Sequence, residues 1–135
     1  MDIAHFEWKE EYSVKVKLFD EQHQILIKTI DDLFQSILKS EGKEVLTKIF
    51  ADLNDYADIH FTAEQKYFQE FDYPEASAHT ALHENFKKDL LTMETQTADE
   101  NTPFKVLFYL ENWWINHIMD TDKKYSEFFN KHGLS

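Results

Sequence analysis

The chain has 135 residues, the length of a single domain (1–135), and a formal charge of −12 from 26 acidic and 14 basic residues. That charge repels phosphate backbones and anionic bilayers, so neither nucleic acid nor a membrane is expected as a partner. Cysteine is absent, which excludes disulfides, thiolate chemistry and sulfur-ligated metal sites and fits a reducing cytoplasmic setting.

The N-terminal "MDIAHFEWKEEYS" is acidic and interrupted by charges, so it reads as neither a signal peptide nor an anchor. It opens an arm of about seventeen residues that Phe6, Trp8, Tyr12 and Val14 are expected to fasten to the body. A first helix follows, with Leu26, Ile27, Ile30, Leu33, Phe34, Ile37 and Leu38 at helical spacing, and "SEG" with Gly42 is expected to stop it. The second helix carries Leu46, Ile49, Phe50, Leu53, Tyr56, Ala57, Phe61, Phe68 and Phe71, until Pro74 forces the residue before it out of helical geometry. The third has Leu82, Phe86, Leu90 and Met93. Thr102 reads as the cap of the fourth and Pro103 as its first residue. Val106, Leu107, Leu110, Trp113, Trp114 and Ile118 continue that helix, and a short C-terminal helix holds Tyr125, Phe128 and Phe129. Two glycines and two prolines are too few for an all-β domain. The fold class is therefore all-α: an up-down-up-down four-helix bundle with an N-terminal arm and a short C-terminal helix.

Polar residues interrupt these apolar stripes. Of seven histidines, five fall on inward faces. His23 lies one turn before Leu26 and Ile27, and His60 continues the line of Leu53, Tyr56 and Ala57, with Glu64 four residues on. His79 and His83 are four apart on the third helix, and His117 follows Trp113 in "WWINHIMDTD". Taken singly, each has an ordinary reading: a hydrogen-bonded core histidine, or a solvated i,i+4 pair. His5 and His132 read as surface residues, and Tyr56, Tyr67 and the tryptophans as core. Taken together, five imidazoles and one or two carboxylates in one apolar interior are costly unless a shared cation satisfies them. Imidazole with carboxylate suits iron among the transition metals. A single octahedral ion has too few positions for seven groups. Two ions bridged by Glu64, Asp122 and one oxygen, with five histidines, leave a single vacancy for a small ligand. His117 and Asp122 are five residues apart, about 140° on a regular helix, so Asp122 joins only where the helix loosens. Asp120 competes on spacing alone.

The segments "DEQHQIL", "HFTAEQKYF", "YPEASAHTALHENF" and "WWINHIMDTDKKY" resemble the hemerythrin family, the non-haem di-iron oxygen carriers, and within it the single-domain bacteriohemerythrins. The resemblance covers essentially the whole chain. It implies two iron ions with an oxo or hydroxo bridge and reversible binding of dioxygen. His79, His83 and His117 would hold the filled iron, and His23 and His60 the open one. Glu64 and Asp122 would bridge, Asp122 being favoured over Asp120. An oxygen pocket lined by Leu26, Phe61, Phe68, Trp113, Trp114 and Ile118 follows in the same way. The chain departs from the family pattern at Phe68, where methionine is frequent, and at Trp114, where leucine is usual. It also has Gln65 where an acid often follows the bridging glutamate, and Gln65 is expected to face outward.

Carriage, storage or sensing of oxygen without enzymatic activity is thus the expected function. A di-iron enzyme or a protein handling nitric oxide or peroxide is the alternative, although the E-x-x-H pairs of ferritin-like enzymes are missing. A regulatory module is a third reading; its protein partner would have to be a separate chain.

Overall fold

The computed structural model describes residues 6–135. Four helices dominate: α1 (Lys17–Leu38), α2 (Gly42–Glu70), α3 (Ala76–Thr95) and α4 (Thr102–Trp113). A π-helical segment, Trp114–Thr121, extends α4 and passes through a 3₁₀ turn, Asp122–Tyr125, into α5 (Ser126–Lys131). Short connections turn each helix back beside its predecessor, and α1 packs on both α2 and α4 while α2 packs on α3. The all-α bundle expected from the apolar periodicity is the architecture found. His5 lies outside the described residues, and His132 is exposed as expected.

The helix ends differ in chemistry from the sequence expectation. α1 is not stopped by Gly42. Its chain reversal is made by Ser40, which takes the left-handed conformation at φ 58°, and Gly42 instead begins α2. The glycine is needed there for space: a Cβ would sit 2.9 Å from Cβ of Pro103 and 3.0 Å from Cγ1 of Ile37, where α2 crosses the start of α4. α2 ends through Asp72 at φ 53°, a conformation that aspartate tolerates better than most residues. Thr102 is the first helical residue of α4, not its cap; its hydroxyl accepts the backbone N–H of Asp99 at 2.9 Å within the preceding loop.

Two aromatic-rich clusters form the interior. The larger joins Leu26, Ile30, Leu33, Leu53, Phe61, Phe86, Leu110, Trp114 and Ile118 along the bundle. The smaller gathers Val14, Val16, Phe19, Phe68, Tyr73, Tyr125 and Phe129 at one end. The N-terminal arm belongs to both, because Phe6, Trp8 and Tyr12 pack on the first and Val14 and Val16 lie in the second. Asp20 fastens it, accepting hydrogen bonds from the Ser13 hydroxyl (2.6 Å) and the Val14 N–H (2.8 Å). The Lys123 ammonium donates to the Glu11 carbonyl, and the Asn130 amide to that of Lys15. The arm is thereby tied to both ends of the sequence.

Gly42→Ala tests the crossing. Alanine gains about 1 kcal/mol of helix propensity over glycine. The overpacking against Pro103 and Ile37 is expected to outweigh that gain and leave the variant about 1 kcal/mol or more less stable in urea denaturation. A more stable variant would show that the two helices separate without cost.

Candidate metal centre

Where the two clusters meet, seven polar side chains are buried: His23, His60, Glu64, His79, His83, His117 and Asp122, none more than 4% exposed. The first three helices contribute, and so does the π-helical extension of α4. α1 supplies His23, α2 supplies His60 and Glu64 one turn apart, α3 supplies His79 and His83 one turn apart, and the π segment supplies His117. Asp122 arrives through a local change of helix. Its backbone N–H bonds to the carbonyl of His117, and the Thr121 hydroxyl donates to the carbonyl of Asn116, both five residues back. Such an i→i+5 turn brings residues five apart onto one side, which a regular α-helix forbids. Asp122 is fully buried with its Oδ1 3.0 Å from Nε2 of His117, whereas Asp120 is exposed. The looser helix thus separates the two aspartates that spacing alone left open.

All five imidazoles point Nε2 inward. Oδ1 of Asp122 lies 2.9 Å from Nε2 of His79, and its Oδ2 lies 3.1 Å from Nε2 of His23. Oε1 of Glu64 lies 3.0 Å from Nε2 of His83, 3.4 Å from that of His60 and 3.5 Å from that of His79. The ligand atoms form two compact groups, Glu64 with His79, His83 and His117, and His23 with His60, Glu64 and Asp122. Glu64 belongs to both, and Asp122 offers one oxygen toward each side.

This arrangement fits metal better than it fits hydrogen bonding. Both oxygens of Glu64, both of Asp122, and Nε2 of His79, His83 and His117 are buried without a hydrogen-bond partner. Their separations are short enough for hydrogen bonds but their angles are not, as for atoms aimed at a point between them. Adjacent ligands about 2.1 Å from one octahedral ion stand roughly 3.0 Å apart, which matches the spacings found. Orphaned buried carboxylates are among the costliest features a protein can hold, and a cation removes the cost.

The protonation pattern points the same way. Burial pushes the Glu64 carboxyl up, but the imidazoles facing it, His60 first and then His79 and His83, more than offset burial and hold it well below the usual range. Burial and the Glu64 charge push Asp122 up, and His117 and His23 more than offset them, so it too stays ionised. Burial lowers His60 and His83, keeping them neutral and able to donate an electron pair. His79 responds differently. Burial works to lower it, yet the carboxylates of Asp122 and Glu64 close to its Nε2 favour the protonated form and raise it to about 9. A proton there does part of the work of a cation, and metal binding would displace it.

Aromatic rings clamp the imidazoles. Phe61 stacks on His83 with centroids 3.9 Å apart, and Trp113 stacks on His117 at 3.9 Å. Tyr56 stacks on His60 at 5.3 Å and Tyr125 on His79 at 5.8 Å, while Trp114 meets His23 edge-on at 6.2 Å. Of the residues expected around oxygen, Trp114 and Phe61 reach the His23–His60 group, and Leu26 and Ile118 are buried in the same cluster as both. Phe68 and Trp113 are placed on the other flank, Phe68 against His79 at 4.8 Å within the smaller cluster. Phe68 is held there by its stacking on Tyr73 and Phe129.

Two further residues touch the imidazoles from outside. Nδ1 of His60 lies 2.5 Å from Oε1 of Gln22, and Nδ1 of His83 lies 3.2 Å from the side-chain amide of Gln65. Gln65 therefore does not face outward; it is half-buried and reaches from α2 to α3. Gln22 was legible in principle, because it falls on the inward stripe between Phe19 and Leu26 at spacings of three and four.

A buried histidine–carboxylate cluster spanning four bundled helices defines a helical metal-binding protein. The family model for the hemerythrin HHE cation binding domain matches residues 14–129. Myohemerythrin of Theromyzon tessulatum is 31% identical over 120 residues, covering 89% of this chain and 90% of that protein. Bacteriohemerythrin of Pseudomonas aeruginosa is 25% identical over 126 residues (91% and 80%). That of Clostridium acetobutylicum is 24% identical over 127 residues (89% and 98%). This chain belongs to the hemerythrin family, an oxygen-binding family, and its cluster is compatible with a di-iron centre.

Two outcomes are expected. Asp122→Ala should lose bound iron by elemental analysis, while Asp120→Ala keeps it; the reverse would mean that the π segment does not present Asp122 to metal. Removing iron with a chelator should lower the melting temperature, since two carboxylates are then left without a counter-charge. Identical melting curves for metal-free and loaded protein would place the metal elsewhere.

Proposed function

We propose that this chain binds dioxygen reversibly at two iron ions, acting as a carrier, store or sensor in the cytoplasm and not as an enzyme. His79, His83 and His117 would hold one ion, and His23 and His60 the other, with Glu64 and Asp122 shared between them. The observation that carries this reading is the division of the buried ligand atoms into two groups joined through Glu64, with Asp122 turned toward both. Three histidines on one side and two on the other leave the second ion with fewer protein ligands, which is where a small molecule fits. Bound iron would supply the open coordination position and the electrons that dioxygen needs.

The chain's own residues hold that position dry. Trp114 stands beside His23, and Tyr12 of the arm meets Trp114 edge-to-face at 5.2 Å. Phe61 and Phe19 cover His60 at 6.0 and 5.7 Å. Burial pushes the hydroxyls of Tyr56 and Tyr125, whose rings stack on His60 and His79, well above their usual range, so both hold their protons tightly. A dry site whose neighbouring hydroxyls hold their protons tightly favours release of oxygen unchanged over its reduction. The nitrogen-rich ligand set supports the same choice over a di-iron enzyme. No helix among the described residues is long and apolar enough to cross a membrane. The charge of −12 likewise supports a protein with neither nucleic-acid nor membrane partners.

Elemental analysis of loaded protein should find two irons per chain, and reduced protein exposed to air should give a coloured adduct that disappears under vacuum and returns. One tightly held zinc per chain would overturn the reading, and sustained oxygen consumption with a reductant would assign the chain to the enzymes. Trp114→Ala should open a cavity to solvent and speed decay of the oxygenated spectrum by about tenfold, a barrier change of about 1.4 kcal/mol. Decay within about twofold of the parent, at matched iron content, would make Trp114 packing alone.

A further inference from the structure

We propose that Gln22 and Gln65 set the reduction potential of the metal centre by giving His60 and His83 neutral hydrogen-bond acceptors in place of charged ones. The inference rests on the di-iron reading above and concerns what surrounds the ligands.

His60 turns Nε2 toward His23 and Glu64, at 3.0 and 3.4 Å. A neutral imidazole that ligates through Nε2 carries its proton on Nδ1, and Oε1 of Gln22, 2.5 Å away, is the acceptor. His83 repeats the pattern. Its Nε2 lies 3.0 Å from Glu64, so Nδ1 is again the donor, and the side-chain amide of Gln65 stands 3.2 Å from it. A half-turn of that amide exchanges nitrogen for oxygen at the same place, and the donor on His83 selects the oxygen. One glutamine thus backs a histidine in each of the two ligand groups. Nδ1 of His23 and of His117 is buried without a partner, so neither receives an acceptor that would oppose the two amides.

The acceptor on the outer nitrogen controls how strongly the inner nitrogen donates to metal. A carboxylate draws the Nδ1 proton and makes the imidazole a stronger donor, which stabilises ferric iron; an amide does so less. Neutral acceptors on both sides bias the centre toward the ferrous state, the state that takes up oxygen. Their location makes this a choice of residue and not of space. Gln22 lines a groove of about 310 Å³ between α1 and α2 that opens to solvent, and Gln65 is half-buried, so glutamate fits at either position.

The test uses the iron-loaded full chain as Gln22→Glu, Gln65→Glu and Gln22→Met, with iron content and midpoint potential measured together by spectroelectrochemistry. Each glutamate should shift the ferric/ferrous equilibrium at least tenfold toward ferric, about 59 mV for a one-electron step. Methionine, which fills the space without accepting a proton, should shift it the other way. A residue that merely packs His60 in place would give both Gln22 variants the same sign, and that result would overturn the proposal. So would potentials of both glutamate variants within twofold of the parent equilibrium at two irons per chain. Should Gln22→Glu fail to hold two irons, Gln65→Glu decides alone. A parent that itself fails to hold two irons refutes the di-iron reading instead, so the two failures are told apart.

Discussion

Everything in this molecule depends on holding two ionised carboxylates inside an aromatic core. Glu64 and Asp122 are both fully buried. Each costs several kcal/mol to desolvate, and their mutual repulsion adds to that. Five imidazoles and the cation they imply offset the cost, and the bundle is the architecture that can deliver them. Four helices pointing one or two side chains each at a common point need no loop near the site, and rigid elements hold ligands more closely than loops do. The stacking of Phe61, Trp113, Tyr56 and Tyr125 on four of the imidazoles fixes ring planes as well as positions.

Regular helix alone would not satisfy this constraint. α4 abandons α-helical bonding at Trp114, and the wider π turn places Asp122 beside His117. The segment is bracketed by apolar anchors, Trp114 and Ile118 in the larger cluster and Tyr125 and Phe129 in the smaller. Packing on both sides keeps the less favourable helical form in place, with the buried carboxylate as the return. The aromatic end cluster therefore serves the site: it secures the turn that brings Asp122 inward.

The N-terminal arm carries the same logic to the other side. Its attachment to Asp20 lays Tyr12 against Trp114, so residues before the first helix help close the His23–His60 side. Gln22 and Gln65 occupy the next layer out, where the hydrogen-bond acceptor for an imidazole is chosen. The inner side chains form a cluster that can hold metal; the glutamine contacts are the ones proposed to bear on how readily such a metal changes oxidation state.

Local periodicity was enough to read the helices and the inward faces of His23, His60, Glu64, His79 and His83, because residues three and four apart share a helical face whatever surrounds them. The improbability of burying so many polar groups uncompensated pointed from those faces to metal. What depended on neighbours was not legible in this way. Whether Asp120 or Asp122 turns inward follows from a departure from helical spacing that packing enforces, so the regular rule had no means to choose. Gly42 read as a stop because glycine commonly ends helices, whereas its place is set by Pro103 and Ile37, distant or separated in sequence and close in space. Phe68 and Gln65 share a helix with Glu64, yet one is drawn to Tyr73 and Phe129 and the other to His83. A sequence specifies which face a side chain leaves from; only the packed chain decides what it meets there.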